Sequence, residues 1–432
     1  MDHAPSGTPS DSAAVRRRNL GLVLSHIAAH GPCPRTDIAT ATGLAHGSVT
    51  ALTTDLLDRG LIHEAEAPRS GTRGRPTRPL LLTPTRALTI AVQITAEHLR
   101  AAVADLSGNL LWRTEARHHS APGTPEVMAT AVAVIVRHAA AATLGLGSAS
   151  AAAPVAGVPA GAGSVLVRVA IAMAGPVRDD VAQTVVVAPD FGWMEPVRLG
   201  ELVVGLLPEL GCPVDVVNDG NAAALAEYHA RPGGGDAMGR GLVLVEAGTG
   251  IGGGVVLDGR IHTGGHGIAG EPGHIPVTLD GPPCVCGASG CLVLYAGPEA
   301  VLTAAGLSET LRNKGLEAAS EELIAALRSA DGRAIAAVER AGNALGVALL
   351  GIIALLDVDE VVLGGTLAQW FPWLAPAVNE RLAGRRALAP ALELEIVPAV
   401  LGEDAILLGA VEFARRTVIS DPSAVPLLTV RR

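Results

Sequence analysis

Val243-Leu244-Val245-Glu246-Ala247-Gly248-Thr249-Gly250-Ile251-Gly252-Gly253-Gly254-Val255-Val256-Leu257 sets two short apolar runs around a glycine-rich turn. Val243–Glu246 and Gly253–Leu257 have the length and β-branched content of buried strands. Upstream, Val165–Ala172 and Val214–Val217 read as further strands, the second followed by a helix from Asn221. Downstream, Asp331–Leu356 reads as a long helix, then a strand Val361–Leu363 and a closing helix Glu403–Arg416. Nearer the N-terminus, Leu88–Ile94, Leu99–Leu106 and Leu110–Ala116 read as strands, with Ser107-Gly108-Asn109 as the turn into the third, ahead of an alanine-rich helix Pro125–Leu144. Strands alternating with helices in this way predict an α/β body.

The chain has 432 residues, too many for one ordinary core, and 49% of them are apolar, ample for two or three domains. Its longest apolar run, Ala344–Leu356, holds two glycines and falls short of the roughly 18 residues of a spanning helix. Met1-Asp2-His3 opens no apolar signal region. Membrane, secreted and fibrous classes are therefore set aside, and a cytoplasmic protein is expected. The net charge of −10 is unevenly spread: residues 1–86 carry 10 arginines against 7 acidic groups, and the remainder is acidic. A small basic head on an acidic body is the asymmetry expected when one end meets phosphate.

Residues 1–14 are small and polar and read as a disordered tail. From Val15, Leu20, Val23, Leu24 and Ile27 share a helical face, ended by Gly31-Pro32. Arg35–Thr42, a turn at Gly43-Leu44-Ala45 and a helix to Arg59 complete a helix-turn-helix pattern. His46, Ser48 and Thr50 open the second helix, which in such motifs meets base edges, while Arg35 and Thr36 are placed to reach phosphate. Leu61–His63 and Pro79–Leu82 bracket an Arg-Gly-rich tip as a β-hairpin wing, with Arg73 and Arg75 suited to a narrow minor groove. The competing reading is a helical oligomerisation module with a solvated arginine loop. The hairpin arginines and Arg16-Arg17-Arg18 favour duplex DNA. Pro84–Arg86 is the expected boundary between a winged domain at 15–84 and a body at 85–432, and the Gly/Ala/Ser/Pro stretch 145–163 reads as a flexible loop.

Five cysteines include three within eight residues, Cys284, Cys286 and Cys291, ten residues beyond His274. One imidazole and three thiolates make a closed tetrahedral set suited to structural Zn2+. Buried free cysteines are the plainer alternative. Asp219 and Glu271 form a carboxylate pair able to grip sugar hydroxyls, and Asn218 adds both a donor and an acceptor. Asp219 could equally cap a helix, and Glu271 could be a solvated loop residue.

Asn218–Ala224, then Gly248–Gly254 with Gly267–His274, then Cys284–Cys291, in that order and spacing, resemble the ROK family of sugar kinases and sugar-responsive repressors. With the winged head, the chain resembles a ROK repressor over about residues 15–416. The resemblance implies two actin-like, ribonuclease H-like α/β lobes with sugar in the cleft between them. It places Asn218, Asp219, Glu271 and His274 at the sugar, with His274 also on zinc.

The resemblance also exposes departures. The family's Asp-x-Gly-Gly-Thr-Lys phosphate turn corresponds here to Gln93-Ile94-Thr95-Ala96-Glu97-His98, where each of those signature residues is replaced. Gly248, Thr249, Gly250, Gly364 and Gly365 persist as a vestige of the nucleotide site, and Asp219 as a vestigial base. After the last cysteine the usual Leu-Glu becomes Leu292-Val293, which removes one sugar acceptor, and Pro189-Asp190-Phe191-Gly192-Trp193 carries Asp where many relatives have Asn. The expectation is a repressor of carbohydrate genes, a homodimer or tetramer on operator DNA, modulated by a sugar or sugar phosphate, and not an enzyme. An active sugar kinase and a regulator answering to a protein partner are the rivals.

Overall fold

The structure is a computed structural model that describes residues 12–65, 78–119, 121–144, 163–231, 241–388 and 394–428. The chain opens with three helices, α1 (Ser12–His30), α2 (Arg35–Thr42) and α3 (His46–Asp58), and a two-stranded antiparallel hairpin, β1 (Ile62–Glu64) with β2 (Leu80–Leu82). Strands β3 (Ala87–Ile94), β4 (His98–Ala104) and β5 (Leu110–Arg117) lead to helix α4 (Pro125–Leu144), then β6 (Val165–Met173), α5 (Leu199–Leu206), β7 (Val214–Asn218) and α6 (Asp219–Ala230). Next come β8 (Gly241–Ala247), β9 (Ile251–Leu257), β10 (Arg260–Ile261), α7 (Val293–Ala296), α8 (Pro298–Ala305), α9 (Ser308–Arg328) and α10 (Gly332–Leu356). Strand β11 (Glu360–Gly365), helices α11 (Thr366–Gln369) and α12 (Phe371–Leu388), β12 (Glu395–Pro398) and α13 (Ala405–Ser420) complete it.

The chain divides into two compact units. One takes in the described residues up to Ala172, Pro189–Val216 and those from Ala410 onward. Its sheet runs β5-β4-β3-β6-β7. β3 and β4 pair antiparallel with Ile90 opposite Val103, and all eight β3 residues are buried. A strand covered on both faces explains the near-continuous apolar run Ala87–Ile94. The three N-terminal helices belong to this unit. Leu20, Leu24, Ile27, Ile38, Val49, Leu52 and Leu56 share one apolar cluster with Ala87, Leu106 and Val167 of the sheet region and Val418, Ile419 and Val425 near the C-terminus.

The other unit holds Met173–Ala188 and Val217–Gly409, with a sheet ordered β10-β9-β8-β11-β12. β8, β11 and β12 run parallel, while β9 returns antiparallel to β8. Val243, Val245 and Ala247 face a core built with Leu345, Leu349 and Ile352 of α10 and Trp370, Leu374 and Val378 of the α11–α12 region. Small residues let α10 and α12 close together: a Cβ on Gly346 would lie 2.6 Å from that of Arg381. The indole of Trp370 donates to Ser320 Oγ at 2.9 Å, so this large buried ring leaves no orphan donor.

The structure departs from the sequence reading in several places. Helix α1 reaches back to Ser12, three residues into the stretch read as disordered, because Ser12-Ala13-Ala14 extends a helix whose core is already anchored. Helix α6 starts at Asp219 instead of Asn221, since Asn218 supplies the cap. Helices α4 and α10, at 20 and 25 residues, are by length and composition apolar enough to cross a bilayer. Both carry buried faces in these cores. Arg73 and Arg75, expected at the tip of the wing, residues 1–11 and residues 145–162 lie outside the described residues.

Helix α13 meets α6 through Gly409, where a Cβ would fall 1.8 Å from the carbonyl oxygen of Ala222. Gly409→Ala is expected to cost about 1–3 kcal/mol by overpacking. Gly384→Ala, on an exposed turn of α12 with nothing within 4 Å of the new methyl, is expected to be neutral or stabilising by up to ~1 kcal/mol. Urea unfolding of the pair checks this.

Candidate functional site

The strand β7 ends at Asn218, whose extended backbone turns the chain into α6. Asn218 Oδ1 accepts from the Asn221 amide at 2.9 Å, a helix N-cap. Its Nδ2 donates to the Gly175 carbonyl at 3.0 Å and to Asp219 Oδ1 at 3.2 Å. The same Asp219 oxygen accepts from the Gly220 amide at 2.8 Å. Asp219 therefore sits at the first helical position, where the helix dipole favours a carboxylate. Gly220 is required below it, because a Cβ there would lie 2.2 Å from the Gly253 carbonyl oxygen of β9.

Glu271 leads a short 3-10 turn, Pro272–His274, and is half-buried. Burial, and then the charge of Asp219, pushes its pKa up. A third carboxylate, Glu246 at the end of β8, was not singled out by the sequence pattern. It pairs in register with Gly252 on β9 and Gly364 on β11. Burial first, then Asp219 and Glu227, pushes it up to about 7. Alternation along β8 places Glu246 opposite in facing to Val245 and Ala247, away from the α10 core. That alternation was its only sequence signal.

The nearby Glu227, fully buried, plays a different part. It accepts from the amides of Val400 and Leu401 at 3.0 and 2.9 Å and pairs with Arg231 at 3.1 Å. Its charge is thus compensated, and it fixes the far end of α6.

The glycine-rich turn Gly248–Gly250 and Gly364-Gly365 lie at one end of the sheet. Gly248 donates to the Gly250 carbonyl at 3.1 Å, and Thr249 is exposed. Gly365 adopts φ 59° and would collide with the Ala247 carbonyl if it carried a Cβ. Val293 stands beside this turn, its Cγ2 3.9 Å from a Cβ built on Gly250. The segment Gln93–His98 lies in the other unit as a closed hairpin: Thr95 N donates to His98 O at 2.9 Å, His98 N to Thr95 Oγ1 at 3.0 Å, and Arg100 to Gln93 at 3.3 Å.

His274, Cys284, Cys286 and Cys291 converge, with their ligand atoms all within 4.8 Å of one another. His274 Nδ1 lies 3.6 Å from Cys284 Sγ, and Cys286 Sγ lies 3.6 Å from Cys291 Sγ. A tetrahedral zinc with Zn–S of about 2.3 Å sets sulfur atoms roughly 3.8 Å apart, so the donor set fits that ion. The loop is held by backbone bonds from Cys284 N to Ala288 O at 2.8 Å and from Leu292 N to Ile275 O at 2.9 Å. Gly290, at φ 70°, passes so close to Thr278 that a Cβ would sit 2.2 Å from its carbonyl oxygen.

In the head, His46, Ser48 and Thr50 lie exposed along the first turns of α3, and Thr50 Oγ1 donates to His46 O at 2.9 Å. Thr36 is exposed, donating to Asp37 at 3.1 Å. Arg35 is directed inward instead, donating to Thr53 Oγ1 at 3.1 Å and to Glu64 at 3.0 Å. Hydrogen bonds from Arg35 and then Arg78 hold Glu64 below the usual carboxylate range.

Residues 154–417 match the ROK family. The chain belongs to the ROK family. Across nearly its whole length it is similar to the xylose repressor of Bacillus spizizenii, 23% identical over 400 residues that cover 93% of this chain and 95% of that protein. It is 30% identical to the glucokinase of Streptomyces coelicolor over 349 residues, 76% of this chain and 98% of the kinase. A solved ROK family transcriptional regulator, a homologue of the E. coli MLC protein, shares the fold with a TM-score of 0.76 at 24% identity, covering 95% of this chain and 99% of that one.

Two outcomes are expected. Because the folded pKa of Glu246 is raised, its ionisation opposes folding, and the penalty grows as pH rises from about 4.5 to about 7. Glu246→Gln should therefore be more stable than the parent at pH 8, by up to roughly 3 kcal/mol, with the gap closing toward pH 4.5. Chemical unfolding at the two pH values measures it. Cys284→Ser should lose bound zinc and lower the melting temperature of the metal-loaded protein, as read by elemental analysis and calorimetry.

Proposed function

We propose that this chain is a transcriptional repressor of carbohydrate genes that grips duplex DNA through its N-terminal head and yields it when a sugar or sugar phosphate binds. The observation that carries the reading is coverage: the similarity to xylose repressors runs through head and body together, whereas the kinase similarity spans 76% of the chain. In this reading the winged helix-turn-helix domain runs from α1, which begins at Ser12, to residue 84, and 85–432 form the ROK body. His46, Ser48 and Thr50 meet base edges, Thr36 and Arg35 lie near phosphate, and Arg73 and Arg75 form the wing. The inward pairing of Arg35 with Glu64 makes it the weakest member of that set.

In the body, Asp219 and Glu271 accept sugar hydroxyls, and His274 reaches the ligand from the zinc side. Asn218 contributes mainly by orienting Asp219, since its amide oxygen is committed to the helix cap. His274, Cys284, Cys286 and Cys291 would hold zinc as a structural ion that fixes the loop carrying Glu271 and His274.

Phosphoryl transfer is not part of this reading. The first phosphate turn is replaced by the self-closed hairpin Gln93–His98. Glu246, at the remaining glycine turn, would confront polyphosphate with a carboxylate. The protein acts in the cytoplasm as a homodimer or tetramer, presenting paired heads to half-sites about 34–36 Å apart per helical turn.

The test is selection of genomic fragments by the full-length, zinc-loaded protein, followed by gel-shift titration with hexoses, pentoses, N-acetylhexosamines and their phosphates. A selected site that the parent releases with one sugar supports the reading; ATP-dependent turnover of a sugar that requires Asp219 would replace it with the kinase. Ser48→Ala with Thr50→Ala should weaken the selected site by about 1–3 kcal/mol per lost base contact, while Thr310→Ala, remote in sequence, leaves it unchanged.

A further inference from the structure

We infer that the DNA-binding head is not hinged on a free linker but is clamped to the β3–β7 lobe by Arg86 and the C-terminal segment 421–428, so that it turns with that lobe as one body. The inference rests on the proposed function only for what the clamp is for. The clamp itself is a matter of packing and hydrogen bonding within one compact unit.

Arg86 is the centre of it. Its side chain is buried, with 7% of the residue exposed. Nε donates to the Arg59 carbonyl at 2.7 Å, Nη2 donates to the Pro426 carbonyl at 2.7 Å, and Nη1 donates to the Gly163 carbonyl. Three segments distant in sequence therefore converge on one guanidinium: the end of α3, the approach to β6 and the C-terminal segment. Among the described residues no carboxylate pairs with it. A buried cation needs its donors satisfied, and here carbonyl dipoles do it. The planar fork fixes the three directions, so the segments cannot slide independently without breaking bonds.

Independent contacts repeat the pattern. Arg59, which closes α3, donates from Nη1 to the Ser423 carbonyl at 2.9 Å and to the Val425 carbonyl, while its Nε holds Asp55 of α3 at 2.7 Å. The Leu428 amide donates to the Asp58 carbonyl at 2.8 Å. Gly21 of α1 lies so near the end of α13 that a Cβ would fall 2.0 Å from the Ser420 carbonyl oxygen. Val418, Ile419 and Val425 complete the apolar cluster of the head. A hinged domain keeps its own closed core and a polar connection; here the core of the head is continuous with Ala87, Leu106 and Val167 of the sheet region and with Val418, Ile419 and Val425.

The arrangement has a direction. The clamp grips the C-terminal end of α3, while His46, Ser48 and Thr50 occupy its N-terminal turns. The 13-residue helix is about 20 Å long, so it acts as a lever between body and DNA face. A rotation of the lobe is delivered to those residues without passing through a flexible joint.

Hydrogen exchange by mass spectrometry on the full-length, zinc-loaded protein tests this without operator or sugar, so it can fail while the repressor reading stands. In the parent, α3 amides should exchange with protection comparable to β3, in one cooperative melt. Arg86→Gln should speed exchange of Val49–Arg59 by tenfold or more and leave α10 unchanged. Arg86→Lys should not restore protection, because an ammonium cannot reach all three carbonyls. A chain ending at Ser420 should show the same loosening with Arg86 intact, and it decides the matter should the glutamine variant fail to fold. Unchanged α3 protection in that shortened chain, or a parent head that exchanges independently of β3, would overturn the clamp.

Discussion

The placement of Asp219 hangs on one backbone contact, the seating of the first turn of α6 on β9. Gly220 and Gly253 meet with no room for a side chain, and a Cβ on Gly254 would lie 2.6 Å from the Gly220 carbonyl oxygen. This close approach fixes where the helix starts, and Asn218 then caps it through the Asn221 amide. The start of the helix in turn fixes Asp219 over the end of the sheet. Had Gly220 or Gly254 carried a methyl, the helix would have to stand off from β9, and Asp219 would move with it.

Burial of negative charge is the physical character of the site. Burial first, and then the charge of Asp219, raises the proton affinity of both Glu246 and Glu271. Glu227 lies on the same helix but has two backbone amides and Arg231 to neutralise it. The contrast separates a carboxylate tied to the fold of α6 from Glu246 and Glu271, whose charged forms burial opposes. An acceptor-rich surface of this kind suits the hydroxyl donors of a sugar and resists further negative charge, such as nucleotide phosphate.

The α/β character and most elements of the sheets were legible, because buried strands such as Ala87–Ile94 and the 3.6-residue pattern of α1 are strong local signals. The convergence of His274 with Cys284, Cys286 and Cys291 was legible too, since thiol and imidazole spacing constrains a loop whatever surrounds it. What escaped was set by pairing across distance. The register that puts Glu246 between Gly252 and Gly364 cannot be read along the chain. Nor can the inward turn of Arg35 toward Glu64, which is 29 positions away. The start of α6 was misplaced by two residues because Asn and Asp are both good caps, and only tertiary contact with Gly253 selects the first.

Arg86 shows the same limit in its sharpest form. In sequence it is a basic residue at a proline-containing stretch between two regions, which reads as a domain boundary. In the fold its partners are carbonyls, and a carbonyl acceptor leaves no trace in residue identity. A charge-balance argument would have looked for an acid and found none. The burial of a guanidinium among main-chain dipoles can persist only where three segments are already held in place, and it then makes each depend on the other two. Boundaries drawn from composition mark where the chain changes character; they do not mark where a molecule bends, and here the compositional boundary coincides with a buried polar junction.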